Sequence, residues 1–148
     1  MMVARAANPG LPYSGNVSPA EAWEAVSAHS QATLVDVRSH AEWLFAGLPD
    51  LSVLGKDVVT VSWKLYPNFD LNPQFIAQLE AAAPDKSAPL YFLCKTGGRS
   101  TDAAIAATAA GYAQCYNITG GFEGDMNNQR QRGTINGWKA AGLAWLQA

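Results

Sequence analysis

The first half of the chain alternates short apolar blocks with polar, turn-forming blocks. The segment Ser18-Pro19-Ala20-Glu21 matches a capping box with proline at the first helical position and predicts a helix over about 18–29. The β-branched run at 33–37 predicts a strand, and a second capping pattern that starts at Ser39 predicts a short helix. Residues 57–63 return to strand composition. These blocks predict helix, strand, helix and strand in that order.

The second half continues this alternation and contains the most apolar strand. Helical spacing of apolar residues after Asn72-Pro73 predicts a third helix that ends at Pro84. Residues 89–94 form a nearly continuous apolar run, which is typical of a strand buried on both faces of a parallel sheet. The alanine-rich segment 100–110 predicts a helix that lies close on the sheet, and a further strand is predicted at 115–118. We therefore expect an α/β fold, a three-layer sandwich with a mostly parallel sheet of about five strands and helices on both faces.

The domain organisation follows from length and from the turn-forming residues. A chain of 148 residues fits one domain of ordinary size. Two prolines and a glycine interrupt the first residues, so we expect a flexible tail over 1–15 and a single domain over 16–148. The polar segment 125–137 predicts an exposed loop, which is a candidate cover for a binding site. Gly137-Trp138 begins a last short helix or turn.

Composition and charge argue against several classes of function. Ten basic and twelve acidic residues give a net charge of −2, so no overall field favours nucleic acid or anionic lipid. The two cysteines form no CxxC pair and no Cys/His cluster has ligand spacing, so we expect no disulfide framework, no metal and no other cofactor. The longest low-polarity run, 103–113, is shorter than the roughly 18–20 residues of a membrane span. We expect a protein of the reducing cytoplasm that binds neither nucleic acid nor membrane.

Candidate chemistry concentrates where the apolar strand at 89–94 ends. Open α/β sheets bind ligands at the carboxyl ends of their strands, and Cys94 is the last residue of this predicted strand. The glycines that follow permit a turn whose main-chain N–H groups point inward, and the next helix adds the positive end of its dipole. Such a loop binds anions and stabilises a thiolate, so we expect Cys94 to be nucleophilic at neutral pH. Cys94 is the catalytic candidate, and the binding candidates are Lys95, Thr96, Gly97, Gly98, Arg99 and Ser100.

Charged residues in and around this loop allow more than one interpretation. Lys95 and Arg99 offer positive charge to an approaching anion, but the Arg99 guanidinium can equally turn inward and brace the loop. Asp36, Arg38 and Glu42 bracket a strand end and a helix start. We interpret these three residues as a fixed ion-pair network rather than as groups that polarise the site.

The other reactive side chains are assigned structural roles. Cys115 lies in a short predicted strand without basic neighbours and is interpreted as core packing, with a resolving thiol as the alternative. His29 and His40 fall at a helix end and in a first helical turn, where neither is expected to act as a base. The five tryptophans are scattered along the chain, so we interpret them as core and rim packing.

Three motifs of the chain resemble those of the rhodanese family of sulfurtransferases. Residues 94–100, CKTGGRS, resemble the family's C-x-x-G-x-R-S active-site loop. Residues 34–43 contain DVR followed by EW and resemble its D-V-R-x-x-x-E-[FW] segment, and 117–122, NITGGF, resemble its N-L-x-G-G stretch. The three motifs agree in order and spacing over nearly the whole chain. Two segments depart from the family: 47–52 reads GLPDLS in place of G-H-I-P-G-A, and 142–145 reads GLAW in place of G-L-P-W.

The resemblance implies a single rhodanese domain that transfers sulfur. In this family the loop cysteine takes a sulfane sulfur from a donor such as thiosulfate, becomes a persulfide and passes the sulfur to a thiophilic acceptor. By this resemblance Cys94 is the persulfide-forming residue, and ping-pong kinetics are expected. The implied partners are a small anionic sulfur donor and a thiol or cyanide acceptor, with a protein as an alternative acceptor.

A cysteine at the start of such a loop also occurs in enzymes other than sulfurtransferases. A cysteine phosphatase or arsenate reductase also holds a thiolate in an anion-binding loop, but those loops resemble C-x5-R, whereas four residues separate Cys94 from Arg99. The narrower loop disfavours a tetrahedral phosphate. A Walker-type nucleotide site is excluded because its G-x-x-x-x-G-K-[ST] spacing is missing. A non-autonomous persulfide carrier or interaction module of the same fold is compatible with the sequence.

Overall fold

A five-stranded parallel sheet forms the centre of the computed structural model, which describes residues 10–147. The strand order is β1-β8-β7-β2-β4, and each neighbouring pair is parallel. The strands are β1 (Gly15–Val17), β2 (Thr33–Asp36), β4 (Val59–Thr60), β7 (Leu90–Leu93) and β8 (Cys115–Ile118). Two antiparallel pairs lie outside this sheet: β3 (Leu48–Pro49) with β9 (Trp145–Leu146), and β5 (Lys64–Leu65) with β6 (Asp70–Leu71). The predicted α/β class and the number of central strands are confirmed.

Two of the helices begin at the capping boxes that the sequence predicts, whereas α3 begins after Gln74 and not at the predicted Asn72-Pro73 cap. Ser18 accepts a hydrogen bond from the Glu21 N–H at 3.1 Å while the Glu21 carboxylate accepts one from the Ser18 N–H at 2.9 Å, so the predicted capping box is present. Ser39 and Glu42 form a second capping box. The helices are α1 (Pro19–Ala28), α2 (His40–Ala46), α3 (Phe75–Ala82), α4 (Gly98–Ala109) and α5 (Gly137–Ala140), with a 3-10 turn at Ser52–Leu54. Within residues 10–147, none of these helices has the length and apolar character of a bilayer span.

Two core clusters lie on opposite faces of the sheet. Leu90 and Phe92 pack in one cluster with buried side chains of α3 and α4, whereas Tyr91 and Leu93 pack in the other with side chains of α1 and α5. Successive residues of a strand point to opposite faces, so all four of these β7 side chains are buried. The three-layer prediction is therefore confirmed, and β7 is the central strand of the sheet.

Two predicted boundaries need correction. The strand expected over 57–63 is reduced to the two residues of β4, because only Val59 and Thr60 pair with β2. The helix expected over 100–110 already begins at Gly98, so the turn after Cys94 is tighter than the sequence indicated. The loop expected over 125–137 is free of helix and strand and mostly exposed over 125–136, whereas Gly137 is buried and begins α5.

The prediction of a flexible tail over 1–15 is wrong at its carboxyl end. Tyr13 and Ser14 are buried, and Gly15 begins β1, which pairs in parallel with β8. The Ser14 N–H donates to the Cys115 carbonyl, and the Cys115 N–H donates to the Ser14 hydroxyl, both at 2.9 Å. A three-residue strand is too short to show an alternating pattern in the sequence, which is why it was missed. Residues 1–9 lie outside the described residues.

Candidate active site at Cys94

Cys94 lies directly after β7, at the carboxyl edge of the central strand. The neighbouring strands β2 and β8 run parallel to β7, so their carboxyl ends meet at this same edge. Ligands of open α/β sheets bind at this edge. The predicted position of Cys94 at a strand end is therefore confirmed, with the strand itself ending at Leu93.

The segment from Cys94 to Ser100, here named the Cys94 loop, folds so that a main-chain donor faces the sulfur. The Gly97 N–H donates to the Cys94 Sγ at 3.0 Å. Gly97 is the N-cap of α4 with φ of 118°, a left-handed conformation that a side chain would strain. Cys94 itself is 1% exposed, whereas Thr96 and Gly98 are exposed at the turn. The sulfur thus lies under a turn whose geometry depends on glycine.

Further main-chain donors of the Cys94 loop are unused. The N–H groups of Lys95, Thr96, Gly98 and Arg99 donate no hydrogen bond to another group of residues 10–147. The first N–H groups of any helix lack an intrahelical acceptor and carry the positive end of its dipole. Unpaired N–H groups at a helix amino terminus can bind an anion, so this part of the loop is a candidate anion site.

Ser100 is the second polar group that contacts the sulfur. Its hydroxyl oxygen lies 3.2 Å from the Cys94 Sγ and 2.6 Å from the Asn117 Oδ1, and the residue is fully buried. Asn117 comes from β8, the strand that pairs with β7. The Cys94 loop is therefore linked by a polar side chain to the neighbouring strand.

Arg99 braces the loop through Glu42 of α2. Its guanidinium donates to both Glu42 carboxylate oxygens, at 2.6 and 2.8 Å. Burial opposes ionisation of Glu42, but the hydrogen bonds from Arg99 and Ser39, together with the Arg99 charge, lower the Glu42 pKa to about 2. The hydrogen bond to Glu42 raises the Arg99 pKa above its ordinary value. Of the two roles expected for Arg99, this geometry is the bracing one.

Lys95 differs from Arg99 because its charge is not neutralised. Its ammonium forms no ion pair or hydrogen bond with any of residues 10–147, and the side chain is partly exposed. It is therefore the positive side chain of the Cys94 loop that remains available to an anion in solution.

Asp36 and Arg38 form a buried ion pair at the end of β2, as the network interpretation predicted. The Arg38 guanidinium donates to both Asp36 oxygens, with a shortest distance of 2.6 Å, and both side chains are fully buried. Arg38 also donates to the Gly47 carbonyl and lies over the Phe122 ring, with its central carbon 4.3 Å from the ring centre. Through Arg38 the pair therefore connects the end of β2 to the carboxyl end of α2, the helix that carries Glu42.

The turn at Gly120-Gly121 packs directly against the main chain of the Cys94 loop. The Phe122 N–H donates to the Cys94 carbonyl at 2.7 Å, and the Glu123 N–H donates to the Lys95 carbonyl at 3.0 Å. Gly121 has φ of 63°, and a methyl group there would lie 2.5 Å from the Cys94 carbonyl oxygen. The closely packed backbones explain why this motif contains glycine.

The cysteine and the histidines that the sequence assigned to structural roles form no hydrogen bond with the Cys94 loop in the described part of the chain. Cys115 is fully buried at the start of β8, and burial raises its pKa to about 11, so its thiol stays protonated at neutral pH. His29 is the C-cap residue of α1 and His40 opens α2, and both are exposed. Hydrogen bonds of the exposed loop at 125–137 reach Gly124 and Glu123, at the end of the glycine turn.

Asn117 and Gly121 were not among the predicted site residues. The sequence contained one signal for each. Asn117 is the single amide in an apolar strand, and a buried amide needs a partner. Gly121 belongs to a glycine pair, for which the sequence indicated a strand end and not a close contact with Cys94.

Comparison with known proteins gives a family match over almost the whole described chain. The family model described as the STR4 middle domain matches residues 14–148. Among curated proteins, one of Rickettsia conorii described as uncharacterized is 39% identical over 131 residues, which cover 88% of this chain and 95% of that protein. The chloroplastic rhodanese-like domain-containing protein 4 of Arabidopsis thaliana is 28% identical over 92% of this chain, which corresponds to 27% of that protein.

Two solved structures share the fold. The crystal structure of Rv0390 from M. tuberculosis superposes with a TM-score of 0.83 at 44% identity and covers 92% of this chain and 99% of that one. The solution structure of the polysulfide-sulfur transferase homodimer from Wolinella succinogenes superposes with a TM-score of 0.64 at 23% identity, over 93% and 80% of the two chains. The five-stranded parallel sheet flanked by helices is thus similar to the rhodanese-like fold.

Proposed function

The chain belongs to the family of the STR4 middle domain, and from this premise we propose that it is a sulfurtransferase that acts through Cys94. In this proposal Cys94 takes a sulfane sulfur from thiosulfate or a related anionic donor and passes it to a thiophilic acceptor. The observation that carries the proposal is the hydrogen bond from the Gly97 N–H to the Cys94 Sγ, made next to the unused N–H groups of the α4 amino terminus. A sulfur anion in this position is stabilised, and so is a bound anionic donor.

The first half-reaction loads the cysteine. The Cys94 thiolate attacks the outer sulfur of thiosulfate, a sulfur–sulfur bond forms to Cys94, and the bond between the two thiosulfate sulfurs breaks with its electron pair leaving on sulfite. The product is an anionic persulfide on Cys94. The main-chain N–H groups of the Cys94 loop hold the charge of the donor before the attack and of the terminal sulfur after it.

The second half-reaction unloads the cysteine. A nucleophilic acceptor, such as cyanide or a thiolate, attacks the terminal sulfur of the persulfide. The bond from that sulfur to Cys94 breaks, its electron pair returns to the Cys94 sulfur, and the thiolate is regenerated. The two half-reactions share one enzyme intermediate and predict ping-pong kinetics.

The two cations of the Cys94 loop have different roles in this proposal. Lys95, whose charge is not paired, attracts the anionic donor. Arg99 is paired with Glu42 and keeps the loop in the shape that aims its N–H groups at the anion. The proposal thus separates donor attraction from loop geometry.

Two comparisons support a reaction of this class. The curated Arabidopsis relative contains a rhodanese-like domain by name, and the Wolinella protein that shares the fold is a polysulfide-sulfur transferase by name. Fold similarity alone does not transfer an activity, so the proposal depends on the Cys94 geometry.

Release of thiocyanate from thiosulfate and cyanide tests the proposal. We expect the wild-type protein to catalyse this reaction, Cys94→Ala to abolish it, and Cys115→Ala to leave it unchanged because Cys115 is buried away from the loop. Circular dichroism of both variants checks that each is folded. Undiminished activity of a folded Cys94→Ala protein would overturn the proposal.

A further inference from the structure

The Ser100 hydroxyl has one proton and three acceptors within hydrogen-bond distance. Its oxygen lies 2.6 Å from the Asn117 Oδ1, 3.2 Å from the Cys94 Sγ and 3.2 Å from the Gly97 carbonyl oxygen. A serine hydroxyl donates one hydrogen bond at a time. The position of that proton decides whether the sulfur receives a side-chain donor in addition to the Gly97 N–H.

The three acceptors do not compete equally for the Ser100 proton. The Gly97 carbonyl already accepts from the Thr101 hydroxyl at 2.8 Å and from the Thr101 N–H at 3.3 Å. The Asn117 Oδ1 is nearer to the Ser100 oxygen than either other acceptor, at a distance typical of a short O–H···O hydrogen bond. The Ser100 proton therefore points to Asn117 and away from the sulfur.

The orientation of the Asn117 amide is fixed from the other side. Its Nδ2 donates to the Asn16 Oδ1 at 3.0 Å, and the Tyr13 hydroxyl donates to the same Asn16 oxygen at 3.0 Å. An Asn16 oxygen that accepts from both groups requires the Asn117 nitrogen to face it, which leaves the Asn117 oxygen facing Ser100. A polar chain thus runs from β1 through β8 to the Cys94 loop.

We propose that Asn117 is a positioning residue that withholds the Ser100 proton from the Cys94 sulfur. The sulfur anion is then held by main-chain N–H groups without a hydroxyl donor. A more strongly stabilised thiolate is a weaker nucleophile, because intrinsic nucleophilicity falls as the thiolate becomes less basic. By limiting this stabilisation, Asn117 raises the intrinsic nucleophilicity of the ionised sulfur towards the donor. The role in transfer rests on the proposed function, whereas the effect on ionisation does not.

The charged groups around the sulfur are common to all variants of the test. Those of the Cys94 loop are Lys95 and Arg99, and those of the elements packed against it are Asp36, Arg38, Glu42, Glu123 and Lys139. None of them forms a hydrogen bond with Asn117 or Ser100 in the described part of the chain. Substitution of Asn117 or Ser100 therefore leaves these charges in place.

The pH dependence of Cys94 alkylation by iodoacetamide tests the proposal. The rate is followed on the Cys94 peptide by mass spectrometry, so Cys115 does not interfere. Asn117→Ala removes the nearest acceptor, and the Ser100 hydroxyl then turns to the sulfur, because the other acceptor within reach, the Gly97 carbonyl, already accepts from Thr101. We expect the midpoint of the alkylation profile to fall by about one pH unit.

A second background shows whether the shift passes through Ser100. Asn117→Ala in a Ser100→Ala background should have the same midpoint as Ser100→Ala alone, since no hydroxyl remains to be redirected. An unchanged midpoint for the folded Asn117→Ala protein would overturn the proposal. An equal shift without the Ser100 hydroxyl would also overturn it, because Asn117 would then act on the sulfur directly or through entering water.

Asn16→Ala keeps the test decisive if Asn117→Ala does not fold. Asn16 is exposed and lies on β1, outside the Cys94 loop. Loss of the Asn16 side chain frees the Asn117 amide to turn its nitrogen towards Ser100. We therefore expect a smaller shift of the alkylation midpoint in the same direction, and an unchanged midpoint would contradict the proposal.

Alkylation of Cys94 needs no sulfur donor, so it tests the role of Asn117 separately from sulfur transfer. A shifted midpoint without thiocyanate release would therefore refute the proposed function alone, whereas thiocyanate release with unshifted midpoints would refute the role of Asn117 alone.

Discussion

Arg99 and Glu42 lie 57 residues apart in the chain and form a two-bonded ion pair beside the Cys94 loop. The pair connects the first turn of α4 to the first turn of α2. Because Arg99 is engaged in this way, it shapes the loop, and the proposed function assigns donor attraction to Lys95. This division of roles gives testable consequences for each residue.

Loss of either partner of the Arg99–Glu42 pair should have similar effects. We expect Arg99→Ala and Glu42→Gln each to lower the free energy of unfolding, with a coupling of about 1–2 kcal/mol in a double-mutant cycle. Both should also reduce kcat of sulfur transfer. Urea denaturation and thiocyanate kinetics measure the two effects. If Arg99 bound the donor instead, Arg99→Ala would raise KM for thiosulfate while Glu42→Gln would not.

The stability provided by Glu42 should depend on pH. Its pKa in the folded protein is about 2, below the ordinary value of 4.5, so its stabilising contribution is complete above pH 4.5 and is lost as pH falls through 2. The difference in free energy of unfolding between wild type and Glu42→Gln should be constant near neutral pH and decrease steadily below pH 4.5. Denaturant titrations over this range measure it. A difference that stays constant at acidic pH would contradict the ionised pair.

Removal of the Lys95 charge should weaken binding of an anionic donor more than it slows the chemistry. We expect Lys95→Ala to raise KM for thiosulfate about fivefold at low ionic strength, with a smaller change in kcat, and added salt should reduce the difference from wild type. Lys86→Ala is the matched control, because Lys86 pairs with Glu80 and contacts the far end of α4. Equal effects of the two variants would show that Lys95 acts only through net charge.

The glycine turn should tolerate no side chain where it contacts the Cys94 loop. Gly121→Ala places a methyl group 2.5 Å from the Cys94 carbonyl oxygen at a positive φ, so we expect a loss of stability of at least about 1–3 kcal/mol and a loss of activity. Gly98→Ala is the control for stability, because no atom lies within 4 Å of its added methyl group. Thermal unfolding of both variants measures the contrast. Similar melting temperatures would show that the turn can move away from the loop.

The central elements of the fold could be predicted because their signals are local. The capping box at Ser18 and the apolar run that contains β7 each specify an element within a few residues. The position of Cys94 at a strand end followed from the same run. The glycine turn after Cys94 and the helix that follows it could be predicted because both are adjacent in sequence.

The parts of the fold and of the site that could not be predicted depend on contacts between segments that are distant in the sequence. β1 has three residues, and its pairing with β8 joins positions about a hundred residues apart, so no periodic pattern revealed it. The same holds for the pairing of β3 with β9. The choice between two roles for Arg99 required the position of Glu42, and the role of Asn117 required the positions of Ser100 and Asn16.

The central claim is that the Cys94 sulfur accepts a second sulfur atom. Intact-protein and peptide mass spectrometry after incubation with thiosulfate measures this most directly. The account predicts a gain of one sulfur atom on the Cys94 peptide, reversed by cyanide, and no gain on the Cys115 peptide. Absence of any gain on Cys94, in folded protein whose Cys94 is still alkylated by iodoacetamide, would contradict the account.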